Sequence, residues 1–179
     1  MTVATVDTQT LDTFLDAVRA RTAVVGVIGL GYVGLPLVLL FEEEGFPVIG
    51  FDVDVNKTAA LNRGQSYIKH IGVDRISKAF STDRVIATTN FDRLAECDAV
   101  IICVPTPLGV HREPDLKYIR MTAEAIAERI RPGQLIVLES TTYPGTTREE
   151  LLTRFENKGV VFGRDYFLCF SPVHDDRDH

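Results

Sequence analysis

The feature that most constrains this chain is a glycine-rich turn between an apolar run and a helical pattern. Residues 24–28, Val-Val-Gly-Val-Ile, have the composition of a buried parallel strand, and a helical pattern covers residues 35–44. Between them lie Gly29, Gly31 and Gly34, spaced as G-x-G-x-x-G. In this motif the first glycine permits a sharp turn, the second lets a pyrophosphate approach the backbone, and the third lets the helix pack against the strand. The motif predicts a dinucleotide-binding strand–turn–helix unit.

An acidic residue follows at the distance that this motif requires. A second apolar run, residues 46–51, ends at Asp52, 23 positions after Gly29. A carboxylate about 20 residues on accepts hydrogen bonds from the adenosine ribose, and it would repel the 2′-phosphate of NADP, so the sequence favours NAD. The alternative is a glycine-rich turn followed by an ordinary surface aspartate. The order of strand, glycines, helix, second strand and acid favours the cofactor site.

Length and charge bound the class of protein. A chain of 179 residues with 45% hydrophobic and 25% charged residues fits one globular domain. Its net charge of −6 argues against a nucleic acid or an anionic membrane as partner. No apolar stretch free of charges and turn residues reaches spanning length, and the N-terminal residues are polar and acidic rather than signal-like. The sequence therefore predicts a soluble, cytoplasmic protein.

The rest of the chain alternates between strand and helix patterns, which predicts an α/β fold. The predicted strands cover residues 23–29, 47–52, 84–88, 98–104, 135–139 and 166–170. The predicted helices cover residues 10–20, 33–44, 55–62, 74–80, 116–131 and 146–158, with Asp54 and Asp115 as caps of the third and fifth and a capped turn at residues 90–96. Six such strands predict a doubly wound parallel sheet of the Rossmann type, with strand order 3-2-1-4-5-6.

The ligand of such a sheet binds beyond the carboxyl ends of the strands, where the strand order reverses. This rule selects residues 29–33, 104–106, 139–142 and 171–172, which follow strands one, four, five and six. These stretches are rich in Gly, Pro, Ser and Thr. We therefore expect the ligand at this edge.

The three cysteines do not suggest a disulfide or a metal site. Cys97, Cys103 and Cys169 lack CxxC spacing, and the last two lie in apolar runs that are typical of buried strands. A nucleophilic cysteine needs an accessible thiolate with a lowered pKa, and no neighbouring residue in the sequence supplies either condition. We expect all three to be structural.

Several motifs together resemble the UDP-glucose/GDP-mannose dehydrogenase family. They are Val27–Pro36, Val104–Pro107, Glu139–Thr146 and Phe170–Pro172. Two further stretches, Gly64–Ile71 and His111–Leu116, resemble the branch that acts on UDP-N-acetylhexosamines. The similarity runs from about Ala23 to Pro172.

The resemblance implies an NAD-dependent oxidation of a sugar C6 alcohol to a carboxylate in two steps, with two NAD molecules reduced, and so a place in polysaccharide biosynthesis. In that family this domain carries NAD. The glycine-rich turn would hold the pyrophosphate through Gly29, Gly31 and Gly34, with Tyr32 and Val33 supplying backbone at the start of the helix. Asp52 would hold the adenosine ribose.

The resemblance also assigns residues to the reacting end of the cofactor. Val104, Pro105 and Thr106 would line the nicotinamide side, and Thr141 would belong to the cofactor site. Thr142 corresponds to the threonine that helps to bind and orient the catalytic water, a task that suits a hydroxyl because it both donates and accepts. Without the resemblance, simple helix capping before residue 146 would be the preferred interpretation of both threonines.

The C-terminal residues depart from the family pattern. Where the family has an acid–base glutamate after Ser-Pro, this chain has Val173, which cannot move a proton. In the family a central helix and a second α/β domain follow and supply the nucleophilic cysteine and most of the sugar site, and these have no counterpart in this sequence. We expect an N-terminal helix within residues 1–22, an NAD-binding domain at residues 23–172 and a divergent tail at residues 173–179, reflecting a frameshift, a premature stop or an artificial end.

The tail contains His174 and His179 among aspartates. A charged, disordered tail is the preferred interpretation and no metal site is expected, because nothing fixes a ligand geometry. Four functional hypotheses remain open: an NAD-binding domain that does not oxidise sugar alone, a half-enzyme completed by a separate chain that brings the UDP-sugar site, a non-catalytic NAD-sensing or interaction module, and a truncated remnant. Surface left uncovered by the missing part favours self-association.

Overall fold

The computed structural model describes residues 8–107, 115–139 and 147–171, which form one six-stranded parallel sheet. The strands are β1 (Val25–Ile28), β2 (Val48–Phe51), β3 (Val85–Thr88), β4 (Ala99–Ile102), β5 (Gln134–Leu138) and β6 (Tyr166–Phe170). Their order is β3-β2-β1-β4-β5-β6, and every neighbouring pair is parallel. The predicted fold class and strand order are confirmed.

Helices cover both faces of this sheet. They are α1 (Thr8–Arg19), α2 (Gly34–Glu43), α3 (Val55–Asn62), α4 (Val73–Phe80), α5 (Lys117–Ala127) and α6 (Thr153–Asn157), with a 3₁₀ turn at Phe91–Glu96. As predicted, the side chain of Asp54 caps α3 by accepting from the Asn56 N–H at 2.8 Å. Among the residues that the structure describes, no helix combines the length and the apolar composition that crossing a membrane requires.

The strands bury side chains on both faces, as the continuous apolar runs predict. Val25 and Val27 of β1 point into one core with α2 and α4, whereas Ile28 points into a second core with α5 and α6. In β4 the alternation is the same, with Ile101 in the first core and Ile102 in the second. Burial on both faces fixes the register of the central strands, and with it the relative height of their carboxyl ends.

Two predicted helices differ from the structure. The fifth ends at Ala127 rather than at residue 131, because the guanidinium of Arg131 donates to the carbonyls of Ala95 and Cys97 and pairs with Asp98. Pro132 follows, and the residue before a proline is disfavoured in a helix. The last helix begins with a wider, π-helical turn at Thr147–Leu152 before the regular turns of α6.

The expectation that Cys169 is buried is wrong. Among the described residues β6 pairs with one strand, β5, and so lies at the edge of the sheet; both Cys169 and Phe170 are exposed near its end. Cys103 is buried as predicted, and Cys97, for which the sequence made no such prediction, is buried as well. An apolar run therefore does not by itself distinguish a central strand from the last strand of a sheet.

Candidate functional site

A cleft of about 790 Å³ lies at the carboxyl edge of the sheet, where the strand order reverses between β1 and β4. This volume is within the range of cofactor and small-molecule sites. Its walls come from the residues that follow β1, β2, β4 and β5, and from α3, α5, the 3₁₀ turn and His70. Eight of the predicted site residues line it: Gly29, Gly31, Tyr32, Val33, Asp52, Val104, Pro105 and Thr106.

The glycine-rich turn has the geometry that the sequence predicts for its first and third glycines. Gly29 has φ of 94°, a left-handed conformation that glycine adopts without strain, and a Cβ there would lie 2.7 Å from the carbonyl oxygen of Cys103. Gly34 lies behind the turn, where a Cβ would lie 1.9 Å from the carbonyl oxygen of Gly29. Only glycine fits at these two positions, so the turn brings the start of α2 against β1 and β4.

The second glycine faces open space instead. A Cβ on Gly31 would meet no protein atom within 4 Å, although Gly31 lines the cleft. The space above its backbone is thus free for a ligand group. α2 starts directly after the turn, and its cap residue, Val33, offers no side-chain acceptor to the first N–H groups. The Leu35 N–H donates to the Gly31 carbonyl and Pro36 has no N–H, so the donors available to a ligand are those of residues 31–34. N–H groups at this point, beside backbone that a ligand can approach, fit a pyrophosphate.

The carboxylate of Asp52 is buried and also organises the turn. Its Oδ2 accepts from the Leu30 N–H at 3.0 Å, and its Oδ1 accepts from the Asp54 N–H at 3.0 Å. The ammonium of Lys57, on α3, lies 3.3 Å from Oδ2. A carboxylate has about four acceptor positions, so capacity remains for ribose hydroxyls beside these bonds. The position and chemistry of Asp52 fit the role that the sequence gives it.

Two residues that contact this carboxylate region were missed by the sequence reasoning. Lys57 pairs with Asp52, and the hydroxyl of Tyr67 donates to the Leu30 carbonyl at 2.5 Å. Burial, together with the negative charges of Asp52 and Asp54, raises the pKa of Tyr67, which therefore stays protonated and keeps its donor. Lys57 follows Asp52 by five residues, a signal that was available. Tyr67 lies in the 64–71 stretch, which is noted above for its resemblance to one branch of the family but has no spacing that relates it to the glycine turn.

The opposite wall of the cleft is built from the ends of β4 and β5. Val104, Pro105 and Thr106 line it together with Cys103 and Glu139. Burial, and to a smaller extent the nearby Glu139 carboxylate, raises the pKa of the Cys103 thiol to about 12. Burial also raises the pKa of Glu139 above its ordinary value. A protonated thiol is a poor nucleophile, so Cys103 is a wall residue, as the sequence indicates.

Three exposed side chains with apolar surface also line the cleft. Val53, Tyr118 and Met121 line the cleft and are 78%, 44% and 54% exposed. Exposed apolar groups around a cleft are typical of a surface that a ligand covers, and a flat aromatic base suits them. The two α5 residues escaped the sequence reasoning because an amphipathic helix shows which side chains are polar but not which strand end it lies beside.

The remaining predicted site residues, Thr141, Thr142 and Val173, lie outside the described residues, as do His174 and His179. Within the described ranges no three His, Cys, Asp or Glu side chains come together in a way that could hold a metal ion. Burial raises the pKa of the Cys97 thiol to about 12, and this thiol does not line the cleft.

Comparison with known proteins identifies relatives over most of the chain. The profile of the NAD-binding domain of the UDP-glucose/GDP-mannose dehydrogenase family matches residues 23–172. A UDP-N-acetyl-D-glucosamine 6-dehydrogenase of Pseudomonas aeruginosa is 33% identical over an alignment of 159 positions that covers 87% of this chain and 37% of that protein. A UDP-N-acetyl-D-mannosamine dehydrogenase of Campylobacter jejuni is 40% identical over 124 residues, 69% of this chain and 30% of that protein.

A solved structure agrees with the sequence relatives. The crystal structure of an NDP-N-acetyl-D-galactosaminuronic acid dehydrogenase from Methanosarcina mazei superposes with a TM-score of 0.81 and 30% identity, covering 93% of this chain and 37% of that one. The chain thus spans about a third of the length of these relatives. The resemblance stated from the motifs and the NAD cofactor are both confirmed.

Proposed function

We propose, since the chain belongs to the UDP-glucose/GDP-mannose dehydrogenase family and holds its NAD-binding domain, that it is the cofactor-binding part of a UDP-N-acetylhexosamine 6-dehydrogenase. The sugar class comes from relatives named as UDP-N-acetyl-D-glucosamine and UDP-N-acetyl-D-mannosamine dehydrogenases. We further propose that these 179 residues bind NAD and do not oxidise sugar by themselves.

The observation that carries this proposal is the open, uncapped glycine turn beside a buried acid. The backbone of Gly31 faces space that no protein atom fills, the first N–H groups of α2 lack a side-chain cap, and Asp52 lies at the adjacent strand end. This combination matches an extended anionic ligand with a ribose at one end. Although the chain is acidic overall, the start of α2 carries the positive end of the helix dipole, which attracts an anionic ligand.

Each part of the cleft would contribute to holding the cofactor. Backbone at residues 29–33 would donate to the pyrophosphate, and the Asp52 carboxylate would accept from the adenosine ribose. The residues after β4, namely 104–106, would bound the nicotinamide. When bound, NAD accepts the hydride that leaves the oxidised carbon. Thr142 would orient the catalytic water, a role that rests on the motif alone.

Absence of turnover is proposed from the thiols. Oxidation to a carboxylate in this family uses a cysteine that forms a covalent adduct, and a nucleophilic thiol must be deprotonated. Burial holds the pKa of both Cys97 and Cys103 at about 12, and Cys169 lies at the edge of the sheet outside the cleft. None of the three is suited to that role.

Absorbance of NADH gives a direct test. The purified chain is mixed with NAD and, in turn, with UDP-N-acetylglucosamine, UDP-N-acetylmannosamine and UDP-glucose. We expect no NADH above the sugar-free blank, while a full-length UDP-sugar dehydrogenase assayed in parallel shows turnover. NADH formation at about 1 s⁻¹ or faster, the lower end of ordinary enzyme rates, would overturn the proposal that this chain binds cofactor without turnover.

A further inference from the structure

A short segment outside the sheet braces the glycine turn. The hydroxyl of Tyr67, in the 66–70 segment between α3 and α4, donates to the Leu30 carbonyl at 2.5 Å. The Leu30 N–H donates in turn to Oδ2 of Asp52 at 3.0 Å. Leu30 lies between the first two glycines, and both its N–H and its carbonyl are therefore hydrogen-bonded, the N–H to Asp52 and the carbonyl to Tyr67.

The same segment contacts the turn a second time. The ring of His70 stacks on the ring of Tyr32, with centroids 5.5 Å apart and planes inclined by 25°. The two contacts fall on Leu30 and Tyr32, on either side of Gly31. The Gly31 carbonyl accepts from the Leu35 N–H at 3.1 Å, while the space where a side chain of Gly31 would lie is open.

Because a peptide unit is planar and trans, the hydrogen bond from Tyr67 to the Leu30 carbonyl also sets the direction of the next backbone N–H. The Leu30 carbonyl and the Gly31 N–H belong to one peptide unit, in which they point in opposite directions. A carbonyl held towards Tyr67 therefore directs the Gly31 N–H away from Tyr67. The peptide units on either side are held by Asp52 and by the Leu35 N–H. Because glycine permits more backbone conformations than other residues, the Leu30–Gly31 peptide would still have more freedom to rotate without the Tyr67 bond.

The aromatic ring of Tyr67 is itself located by the charges around it. The ammonium of Lys57 lies 5.9 Å from the ring centroid and 3.3 Å from Asp52. Lys57 thus links the Tyr67 ring to the Asp52 carboxylate, which itself accepts from the glycine turn. Removal of the hydroxyl alone leaves this arrangement in place.

We propose that Tyr67 is a positioning residue for the cofactor, which fixes the Leu30–Gly31 peptide so that the turn is ready to receive a diphosphate. This inference rests on the proposed function. A turn that samples other peptide orientations is competent for only a fraction of the time, and its apparent affinity falls by that fraction. The effect should concern the diphosphate and leave the adenosine contacts unchanged.

Tyr67→Phe tests this inference, because it removes the hydroxyl and keeps the ring. We expect the Kd for NAD, measured by calorimetric titration, to rise by about five- to tenfold. The Kd for adenosine, which lacks phosphates and is measured by competition, should stay within about twofold. The control is Tyr166→Phe, which removes a buried hydroxyl that has no hydrogen-bond partner among the described residues and lies outside the cleft; it should leave NAD binding unchanged.

The outcomes separate this inference from the proposed function. If the unaltered chain does not bind NAD, the proposed function fails. If it binds NAD and Tyr67→Phe binds equally well within twofold, or loses adenosine as strongly as NAD, only the role of Tyr67 is refuted. His70→Ala removes the second contact and is expected to weaken NAD binding by about two- to threefold, which provides a test should Tyr67→Phe fail to fold.

Discussion

Gly31→Ala is expected to leave the fold intact and to weaken NAD binding by at least about tenfold. A methyl group at this position meets no protein atom within 4 Å, so the free energy of unfolding should change by no more than about 0.5 kcal/mol. The same methyl group would occupy the space over the backbone where the pyrophosphate approaches, which costs about 1.4 kcal/mol of binding free energy or more. Calorimetric titration gives the affinity, and urea denaturation gives the stability.

Gly72→Ala is the matched control for this substitution. A Cβ on Gly72 also meets no protein atom within 4 Å, but Gly72 precedes α4 and does not line the cleft. Because Gly72 is the N-cap residue of α4, where alanine is less favourable than glycine, the free energy of unfolding should fall by up to about 1 kcal/mol, but the NAD affinity should not change. Equal affinities of Gly31→Ala and the unaltered chain would mean that the phosphates do not lie over Gly31, and the assignment of the turn would be wrong.

Gly34→Ala, unlike Gly31→Ala, is expected to destabilise the fold, lowering the free energy of unfolding by about 3 kcal/mol. Its Cβ would lie 1.9 Å from the carbonyl oxygen of Gly29 and 3.2 Å from the Cβ of Cys103. The first of these is a backbone atom of the turn, which cannot move aside without separating α2 from β1. A loss of this size lowers Tm by roughly 6 to 12 °C for a domain of this length.

Thermal unfolding followed by circular dichroism measures this loss, with Gly31→Ala as the reference in the same turn. The two substitutions add the same methyl group three residues apart, so their difference isolates the packing of α2 against β1 from any general effect of losing a glycine. A Tm for Gly34→Ala within about 2 °C of that for Gly31→Ala would contradict the close packing at this position.

The sequence predicts those parts of the molecule that depend on local patterns. Strand order follows from alternating strand and helix periods, and the location of the cleft follows from the carboxyl-end rule. The glycine spacing is sufficient to predict a sharp turn at Gly29 and a tightly packed Gly34, because each requirement concerns backbone within one turn; the left-handed conformation of Gly29 is how the structure makes that turn. Asp52 is found by its distance from Gly29, and the structure places it at the adjacent strand end, as that distance indicates.

The features that escaped prediction depend on contacts between distant parts of the chain. Tyr67 reaches Leu30 across 37 positions, and no spacing rule connects an irregular stretch with a glycine turn. α5 ends early because Arg131 reaches the carbonyls of Ala95 and Cys97, which overrides a helical pattern of side chains. Cys169 is exposed because its strand is the last of the sheet, a position that its apolar neighbours do not reveal.

The central claim, that this chain carries a competent NAD site selected by Asp52, is tested most directly by calorimetric titration of the purified, folded chain with NAD and with NADP. Saturable binding of NAD, with NADP about tenfold weaker, is the expected result. The buried carboxylate disfavours a 2′-phosphate, and Lys57, 3.3 Å away, offsets part of that repulsion. A folded chain that binds neither dinucleotide, or that binds both equally well, would contradict the claim.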